Sequence, residues 1–191
     1  KIDKIIFKGN EAFSDLRLRW QMKETKQQSW YFFWRSSFDK KKFEDDMELV
    51  SSFYRNKGYR DFHFISDSVQ YSSDGKKMNI VFTVDEGPQY KYRNFSWEGM
   101  TLFKQEVLDR SLALDIGENY SDEDFNMAVF SRVQGLYLDR GYIYSRIEPK
   151  ITPVKKDSLD TLDNNPFATL PTKPDPLSCV CIASVKETFV S

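Results

Sequence analysis

Cysteine and long apolar runs are the most obvious absences from this sequence. The chain has two cysteines, Cys179 and Cys181, separated by one residue near its end. That spacing matches no usual zinc site or disulfide framework, so cysteine chemistry indicates no redox compartment. No run of about 18 apolar residues occurs, which excludes a membrane-crossing helix within these residues. The sequence also begins without a secretory leader, as a mature or excised fragment would.

A dominant charge and the usual catalytic patterns are missing as well. Lys and Arg number 28 against 29 Asp and Glu, a formal net charge of -1, so bulk electrostatics indicates no polyelectrolyte partner. There is one histidine, His63, and no phosphate-binding glycine loop, nucleophile elbow or paired His–Glu motif. Asp157, Asp160 and Asp163 recur every third residue, but without the glycine turn of a calcium loop. We predict no enzymatic activity, no metal site and no cofactor.

The sequence does contain a long amphipathic helix, which starts after Phe38-Asp39 and stops at Gly58-Tyr59. Asp39 is the predicted N-cap, and Gly58 can adopt the left-handed conformation that ends a helix. The acidic residues around Asp46 are predicted to form the solvated face. The apolar stripe at helical spacing consists of Phe43, Met47, Val50, Phe53 and Tyr54.

Two extended runs after this helix form a predicted β-hairpin. They cover residues 61–71 and 77–84, and the turn between them contains Asp74-Gly75, a strong hairpin signal. The second run alternates in the period-two pattern of a strand with one face on a core. The first run changes parity between its early and late apolar residues. We therefore expect a β-bulge near Ile65-Ser66.

A strand and a shorter helix precede the long helix. Residues 2–7 form the predicted strand, which Gly9-Asn10 closes. Helical spacing then predicts a short helix whose apolar face is Phe13, Leu16 and Trp20.

The same order of elements occurs a second time. Tyr92–Trp97 is a predicted strand, and a second long helix begins after the predicted N-cap Ser121 and stops at Gly141-Tyr142. Counting back from the two Gly-Tyr pairs, residues 47–54 match residues 130–137 without a gap. Two tandem units are therefore indicated.

These observations predict an α+β fold. We expect two tandem β-α-α-β-β domains, residues 1–89 and 90–160, each a small three-stranded mixed sheet packed against two helices. A Pro-rich linker and a β-prone tail would follow in residues 161–191.

The two units resemble POTRA domains, the polypeptide-transport-associated repeats of BamA-type outer-membrane assembly proteins. The resemblance rests on a strand ending in Gly-Asn, two helices, the helix end Phe53–Tyr59, and a hairpin that runs into Asp85-Glu86-Gly87-Pro88. The second unit repeats the helix end as Leu136–Tyr142. The resemblance covers residues 1 to about 160, and its specificity lies in the spacing and the tandem order.

This resemblance implies a periplasmic array on the outer membrane of a Gram-negative bacterium, preceding a β-barrel that lies outside this chain. In that family the array receives unfolded outer-membrane proteins and docks accessory lipoproteins. The family's strand order implies that the first hairpin strand is an edge, to which an extended client can add by β-augmentation. Pro149 and Pro153 agree with an edge position in the second unit, because proline is tolerated mainly on edge strands.

Partner-binding residues are accordingly predicted on the two edge strands, and a hinge is predicted between the units. The hinge consists of Gly87, Pro88 and Tyr90. The partner-binding candidates are Phe62, Phe64, Val69 and Tyr71 in the first unit and Ile143, Ser145 and Ile147 in the second.

An aromatic insert separates the two helices of the first unit and has two interpretations. It could be a contact patch for clients, a partner or the membrane surface, since large exposed apolar patches usually mean contact. It could instead extend the core; five consecutive large side chains cannot all face one way, which favours burial of some. The insert is Trp30, Tyr31, Phe32, Phe33 and Trp34.

The repeat breaks down after Asp160, where a second hairpin strand is expected. Four prolines fall within residues 161–176, a linker composition. One hypothesis is that Ser178–Lys186 supplies the missing strand, either within the chain or by exchange between two chains in a dimer. The alternative is that the residues after about 163 are foreign to the repeat.

A second functional class is compatible with the sequence, namely tandem small α+β domains that bind RNA. Helix–sheet domains of this size can do so, and Arg and Tyr are plentiful. The pI of about 6.0, the lack of a Gly-x-x-Gly clamp and the lack of a basic stripe weigh against it. We therefore expect no nucleic-acid partner.

Overall fold

The computed structural model describes residues 2–23, 25, 40–71, 73, 75, 77–154 and 178–186, the last range and Val154 as backbone only. The aromatic insert Trp30–Trp34, the predicted N-cap Asp39 and the Pro-rich linker lie outside the described residues. The chain divides into two compact units. Unit 1 comprises Lys1–Arg55 and Tyr59–Gly87, and unit 2 comprises Asn56–Gly58 and Pro88–Ser191.

Unit 1 is a three-stranded mixed sheet with two helices, as the sequence predicts. Its strand order is β1-β3-β2, with β1 parallel and β2 antiparallel to β3. The ladder between β2 and β3 shifts register between Phe64 and Ser66, which confirms the expected bulge. The elements are β1 (Ile2–Lys8), α1 (Asp15–Gln21), α2 (Lys40–Arg55), β2 (His63–Tyr71) and β3 (Met78–Asp85).

The apolar stripe of α2 packs on β3, the central strand. Phe43, Val50 and Tyr54 are buried, and the ring of Phe43 stacks on that of Phe82 with centroids 5.4 Å apart. Gly58 has a φ of +95°, so the predicted left-handed stop of this helix is confirmed. The burial of whole aromatic rings is the main stabilising contribution to this core.

The apolar face predicted for α1 is wrong at Leu16 and Trp20, whereas Phe13 packs against the core of unit 1 as predicted. The helix buries Leu18, and Met22 just beyond its end, whereas Leu16 and Trp20 are 55% and 78% exposed. Leu16 and Trp20 are four residues apart, and so are Leu18 and Met22. Both pairs therefore satisfy helical spacing, and the pattern alone does not select the buried pair.

The solvated face predicted for α2 is wrong at one position, because Asp46 is fully buried. Its carboxylate accepts the backbone amide of Lys23 at 2.7 Å, and the amide of Thr25 through the other oxygen. A buried carboxylate is tolerated when charge-assisted hydrogen bonds replace its water. Asp46 thus attaches the segment after α1 to the middle of α2.

Unit 2 contains a helical layer and a two-stranded sheet in its described part. Ser121 accepts the amide of Asp124 at 3.2 Å and has extended backbone angles, which confirms it as an N-cap. β4 and β5 pair antiparallel in this chain, which agrees with the hypothesis that Ser178–Lys186 supplies the missing strand, and the choice between pairing within the chain and exchange between two chains stays a prediction. The elements are α3 (Gln105–Leu112), α4 (Asp122–Asn126), a π-helical segment (Met127–Val133), α5 (Gln134–Asp139), β4 (Arg146–Val154) and β5 (Ser178–Lys186).

The strand predicted at Tyr92–Trp97 does not form, so the described sheet of unit 2 has two strands rather than three. The segment makes one isolated bridge, Lys91 to Asn119. Its buried aromatic residues bond to the helical layer instead: the Tyr92 hydroxyl donates to the carbonyl of Ser121 at 3.1 Å, and the Trp97 indole donates to Asp109 at 2.6 Å. These residues are apolar because they pack in the helical layer, and the same apolar pattern is typical of a strand.

The π-helical segment accounts for a one-residue difference between the two long helices. In α2, Phe43 and Val50 are buried seven positions apart, about two α-helical turns. In unit 2 the buried residues Phe125 and Val133 are eight positions apart. The amide of Gln134 bonds to the carbonyl of Val129, five residues back, and this wider turn takes up the extra residue.

The repeat is also visible in one aromatic contact that occurs in both units. Phe13 meets Tyr54 edge to face at 5.2 Å, and Phe103 meets Tyr137 edge to face at 5.0 Å. In unit 2 the guanidinium of Arg140 lies 5.8 Å from the Phe103 ring. Equivalent positions in the two copies therefore fix the first helical region against the long helix.

Candidate partner-binding edges

β2 is an edge strand of unit 1. It pairs with β3 on one side, and no strand among the described residues lies along its other side. Most of its side chains are exposed; Ile65 at the bulge is 61% exposed and Tyr71 at the end is 71% exposed. Its outer row of backbone groups is therefore a template to which another extended chain can pair.

The two faces of β2 differ in polarity. Asp67, Val69 and Tyr71 pair with core residues of β3, so they lie on the helix-facing side of the sheet. Val69 and Tyr71 nevertheless remain exposed. The opposite face carries Ser66, Ser68 and Gln70.

Two of the predicted contact residues of unit 1 belong to its core. Phe62 precedes β2, is 6% exposed, and stacks on Tyr54 with ring centroids 3.9 Å apart. Phe64 is half-buried and contacts Phe62 and Phe82 at 5.3 Å each. The side chain of Phe62 is therefore not available to a partner, and a charge there would break the core. Val69 and Tyr71 remain candidates for contact.

The predicted contact residues of unit 2 lie in two different environments. Ile143 and Ser145 precede β4 in a turn, where the amide of Ser145 donates to the carbonyl of Tyr142 at 3.1 Å. Ile143 is 65% exposed, whereas Ile147 in β4 is 3% exposed and belongs to the core. The side chain of Ile147 is thus not available to a partner, although its backbone lies in the strand.

A groove beside β4 was not found by sequence reasoning. It has a volume of about 440 Å³. The side-chain amide of Gln134 donates across it to the carbonyl of Ser145 at 3.4 Å, and Phe130 is 46% exposed at its wall. The groove is lined by Phe130, Gln134, Ser145, Arg146, Ile147, Glu148 and Pro149.

Glu86, in the motif after β3, holds three parts of unit 1 together. Its carboxylate accepts the backbone amide of Ala12, with oxygens at 3.1 and 3.0 Å, and the hydroxyl of Tyr54 at 2.7 Å. Burial, and then the bond to Glu86, raise the pKa of Tyr54 far above its ordinary value of 10. Burial and the same carboxylate also raise the pKa of Tyr59. The bonds of Glu86 within unit 1 therefore explain why the motif Asp85-Glu86-Gly87-Pro88 lies at the end of β3.

The predicted hinge residues have defined local structure. Gly87 has a φ of +63°, and its amide donates to the side chain of Asp85 at 3.0 Å. Tyr90 is 5% exposed within the core of unit 2. The role of Gly87, Pro88 and Tyr90 as a hinge stays a prediction.

Two other kinds of feature are absent from the part of the chain that the structure describes. There, no three His, Cys, Asp or Glu residues come together to hold a metal ion. Over the same residues, no helix is both long and apolar enough to cross a membrane.

The fold and the repeat define the class of protein. The model of the POTRA family, described as a surface antigen variable number repeat, matches residues 1–87 and 90–165. The chain belongs to the POTRA family, and it contains two successive copies of the domain.

Relatives of known name point to a particular kind of POTRA protein. The chain is 35% identical over 165 residues to the outer membrane protein assembly factor BamA of Neisseria meningitidis serogroup B, covering 85% of this chain and 20% of that protein. It is 26% identical over 159 residues to BamA of Buchnera aphidicola, covering 82% and 26%. The chain thus spans about a fifth to a quarter of the length of these relatives.

Solved structures share the fold. POTRA domains 3–5 of Haemophilus influenzae BamA superpose with a TM-score of 0.67 at 23% identity, covering 97% of this chain and 65% of that one. POTRA domains 1–2 of Omp85 from Anabaena give a TM-score of 0.53 at 12% identity, covering 100% and 96%. At these identities the likeness establishes the architecture alone.

Proposed function

We propose that this chain is a periplasmic binding and scaffold module of an outer-membrane β-barrel assembly protein of the BamA type. The observation that carries the proposal is the unpaired edge of β2 in a POTRA unit. Backbone pairing along such an edge depends little on sequence, which suits a receiver of many different clients. The similarity to the two BamA proteins supports this assignment over other POTRA proteins.

The proposed clients are unfolded outer-membrane proteins on the periplasmic face of the outer membrane of a Gram-negative bacterium. Accessory lipoproteins of the assembly machine are the proposed docking partners. The β-barrel would be supplied by another part of the full-length protein, since this chain spans only a fraction of its relatives. A non-enzymatic role agrees with the family assignment, which gives no support to the RNA-binding alternative.

A proline scan of two adjacent residues tests the role of β2. Amide directions alternate along a strand, so one of Ser68 and Val69 directs its N–H to the outer edge and the other directs it to β3. Proline at the outward position should leave the fold intact and weaken binding of a dye-labelled peptide with the sequence of a β-barrel strand. We expect about a tenfold loss, the effect of one backbone hydrogen bond.

The inward position and two alanine variants are the controls. Proline at the inward position removes a ladder bond and should destabilise unit 1 in urea by about 1 to 3 kcal/mol, the cost of an acceptor left unpaired. Ser68→Ala and Val69→Ala keep both amides, so each should lose less affinity than the outward proline variant, with Ser68→Ala closest to the parent chain. Unchanged peptide affinity in the fold-preserving proline variant would contradict the role of β2, and retention on RNA at low salt would favour the RNA-binding alternative.

A further inference from the structure

We propose that, of the two corresponding edge strands β2 and β4, β2 receives extended clients by β-augmentation, and that Pro149 and Pro153 close the outer edge of β4 to them. This inference rests on the proposed client-binding function and specifies which strand performs it. The client it selects is an extended segment that alternates between apolar and polar side chains.

The pairing of β4 with β5 fixes where the prolines direct their nitrogen atoms. Pro149 lies opposite Ala183, and Pro153 lies opposite Cys179, within one continuous antiparallel ladder. Proline has no N–H, so neither pair can be one that exchanges two hydrogen bonds. The bonds to β5 must therefore come from the alternate positions, Glu148, Lys150 and Thr152, and the prolines direct their nitrogen atoms outward.

The outer edge of β4 is consequently poor in donors. The outward positions are residues 147, 149, 151 and 153, and only Ile147 and Ile151 among them carry an N–H. Those two amides are four residues apart, about 13 Å along a strand. An added strand would find carbonyl acceptors at every outward position but donors at only half of them. Its unmatched carbonyls would lose water without gaining a partner, which is costly.

β2 has no such gaps. No proline occurs in His63–Tyr71, so each outward position offers both an N–H and a carbonyl, whichever set of alternate residues faces outward. The strand is nine residues long, enough for several consecutive hydrogen bonds to an added chain. β2 is thus the continuous template, and β4 is the interrupted one.

The other edge strand of unit 1, β1, is protected by side chains of α1. The amide of Phe7 donates to the carboxylate of Asp15 at 3.2 Å, and the carbonyl of Ile5 accepts from the guanidinium of Arg19 at 3.3 Å. These backbone groups are therefore already satisfied on the side away from β3. Covering an edge with charged side chains is a known way to prevent strand addition.

The faces of β2 specify the kind of client. Side chains of an added strand lie beside Val69 and Tyr71 on one face of the sheet, and beside Ser66, Ser68 and Gln70 on the other. Neighbouring side chains on the same face determine how well two strands pair. A segment with alternating apolar and polar residues matches both faces, whereas a uniformly apolar or uniformly charged segment matches only one.

Site-specific photo-crosslinking in the full chain tests this inference. A photoreactive residue is introduced at Gln70 in β2 or at Lys150 in β4, two exposed mid-strand positions, and irradiated with the alternating peptide. We expect crosslinking at Gln70 to exceed that at Lys150 by about tenfold or more, as one to two unmade hydrogen bonds predict. The double variant Pro149→Val, Pro153→Val should raise crosslinking at Lys150 towards the level at Gln70.

The outcomes separate the inference from the function on which it rests. Peptide binding by anisotropy is measured first, and circular dichroism checks each variant; Pro153→Val alone is the fallback if the double variant unfolds. Binding with equal crosslinking at the two positions in the parent chain overturns the preference for β2 over β4. Binding with crosslinks in the groove at Phe130 overturns it too. No binding of the peptide at all overturns the proposed function itself.

Discussion

At the scale of single residues, Asp46 shows that an acidic side chain in the middle of a helix can be buried and stabilise the fold through its hydrogen bonds. The substitution Asp46→Asn keeps the shape of the side chain but places an amide donor next to backbone donors. We expect the free energy of unfolding of unit 1 to fall by about 2 to 3 kcal/mol, the usual loss for a hydrogen-bonded buried charge. Urea unfolding followed by circular dichroism measures it.

Asp45 is the matched control for Asp46. It is the adjacent acid on the same helix and is exposed. Asp45→Asn should change stability by less than about 0.5 kcal/mol, as surface substitutions usually do. If the two variants lose the same free energy of unfolding, the buried hydrogen bonds of Asp46 add no stability beyond that of an exposed acid.

A second prediction at the residue scale concerns the pH dependence of Tyr54. Its pKa is raised in the folded chain, so the folded state retains the proton that the unfolded state loses. The stabilisation is complete below the ordinary pKa of 10 and falls as pH rises through and above that value. The free energy of unfolding should therefore decline above about pH 10.

Replacement of the hydroxyl provides the measurement for Tyr54. Tyr54→Phe should flatten the decline of stability above pH 10, while lowering stability at neutral pH because the bond to Glu86 is lost. Tyr71→Phe, at an exposed position, controls for the loss of any tyrosine. If the free energy of unfolding declines equally steeply above pH 10 in Tyr54→Phe and in the parent chain, Tyr54 is not the group that causes the decline.

At the scale of elements, the π-helical segment predicts that one residue of unit 2 is dispensable. Deletion of Ser131, which is exposed, would restore a spacing of seven between the buried positions now occupied by Phe125 and Val133. The segment can then close as an α-helix, and we expect cooperative urea unfolding and helical circular dichroism to be preserved.

The matched deletion belongs in α2, where the spacing is already seven. Glu44 is an exposed residue between Phe43 and Val50. Its removal would turn all later residues of the apolar stripe together by about 100° around the helix axis. Unit 1 should then lose its cooperative transition. If the Ser131 deletion is the more damaging of the two, the spacing explanation for the π-helical segment is wrong.

Elements also show what the sequence could and could not predict. The stripe of α2 and the bulge at Ile65 were predictable because each depends on a local repeat of apolar residues. The buried face of α1 was not, since two pairs at the same spacing competed and only tertiary packing chose between them. The segment Tyr92–Trp97 was misassigned because its aromatic residues are buried in the helical layer, and an apolar pattern does not say what covers it.

The candidate site was only partly predictable for a similar reason. Edge position follows from strand order, which the resemblance supplied, and β2 is indeed an edge. Which side chains of that strand are exposed depends on the bulge and on stacking with α2. For this reason Phe62 was assigned to the surface although it is in the core, while Tyr71 is exposed.

At the scale of the whole molecule, the sheet of unit 2 depends on a distant strand. A chain that ends at Asp160 lacks β5, so β4 loses its partner. We expect this truncation to lose β-sheet circular dichroism in unit 2 while the urea transition of unit 1 persists. Light scattering on the intact chain distinguishes pairing within one chain from exchange between two, because exchange requires a dimer. A truncated chain with unchanged sheet signal would contradict the role of β5.

The separation of the paired strands has a consequence for the order of folding. β2 ends at Tyr71 and β3 begins at Met78, whereas β4 ends at Val154 and β5 begins at Ser178. The connecting chain is about four times longer in unit 2, which adds about 1.2 kcal/mol to the entropic cost of closure. On a ribosome or a translocation channel, the hairpin of unit 1 can therefore form as soon as it emerges, while β4 waits for residues that arrive later. During that interval β4 has two unpaired edges, and its prolines limit mispairing with neighbouring chains.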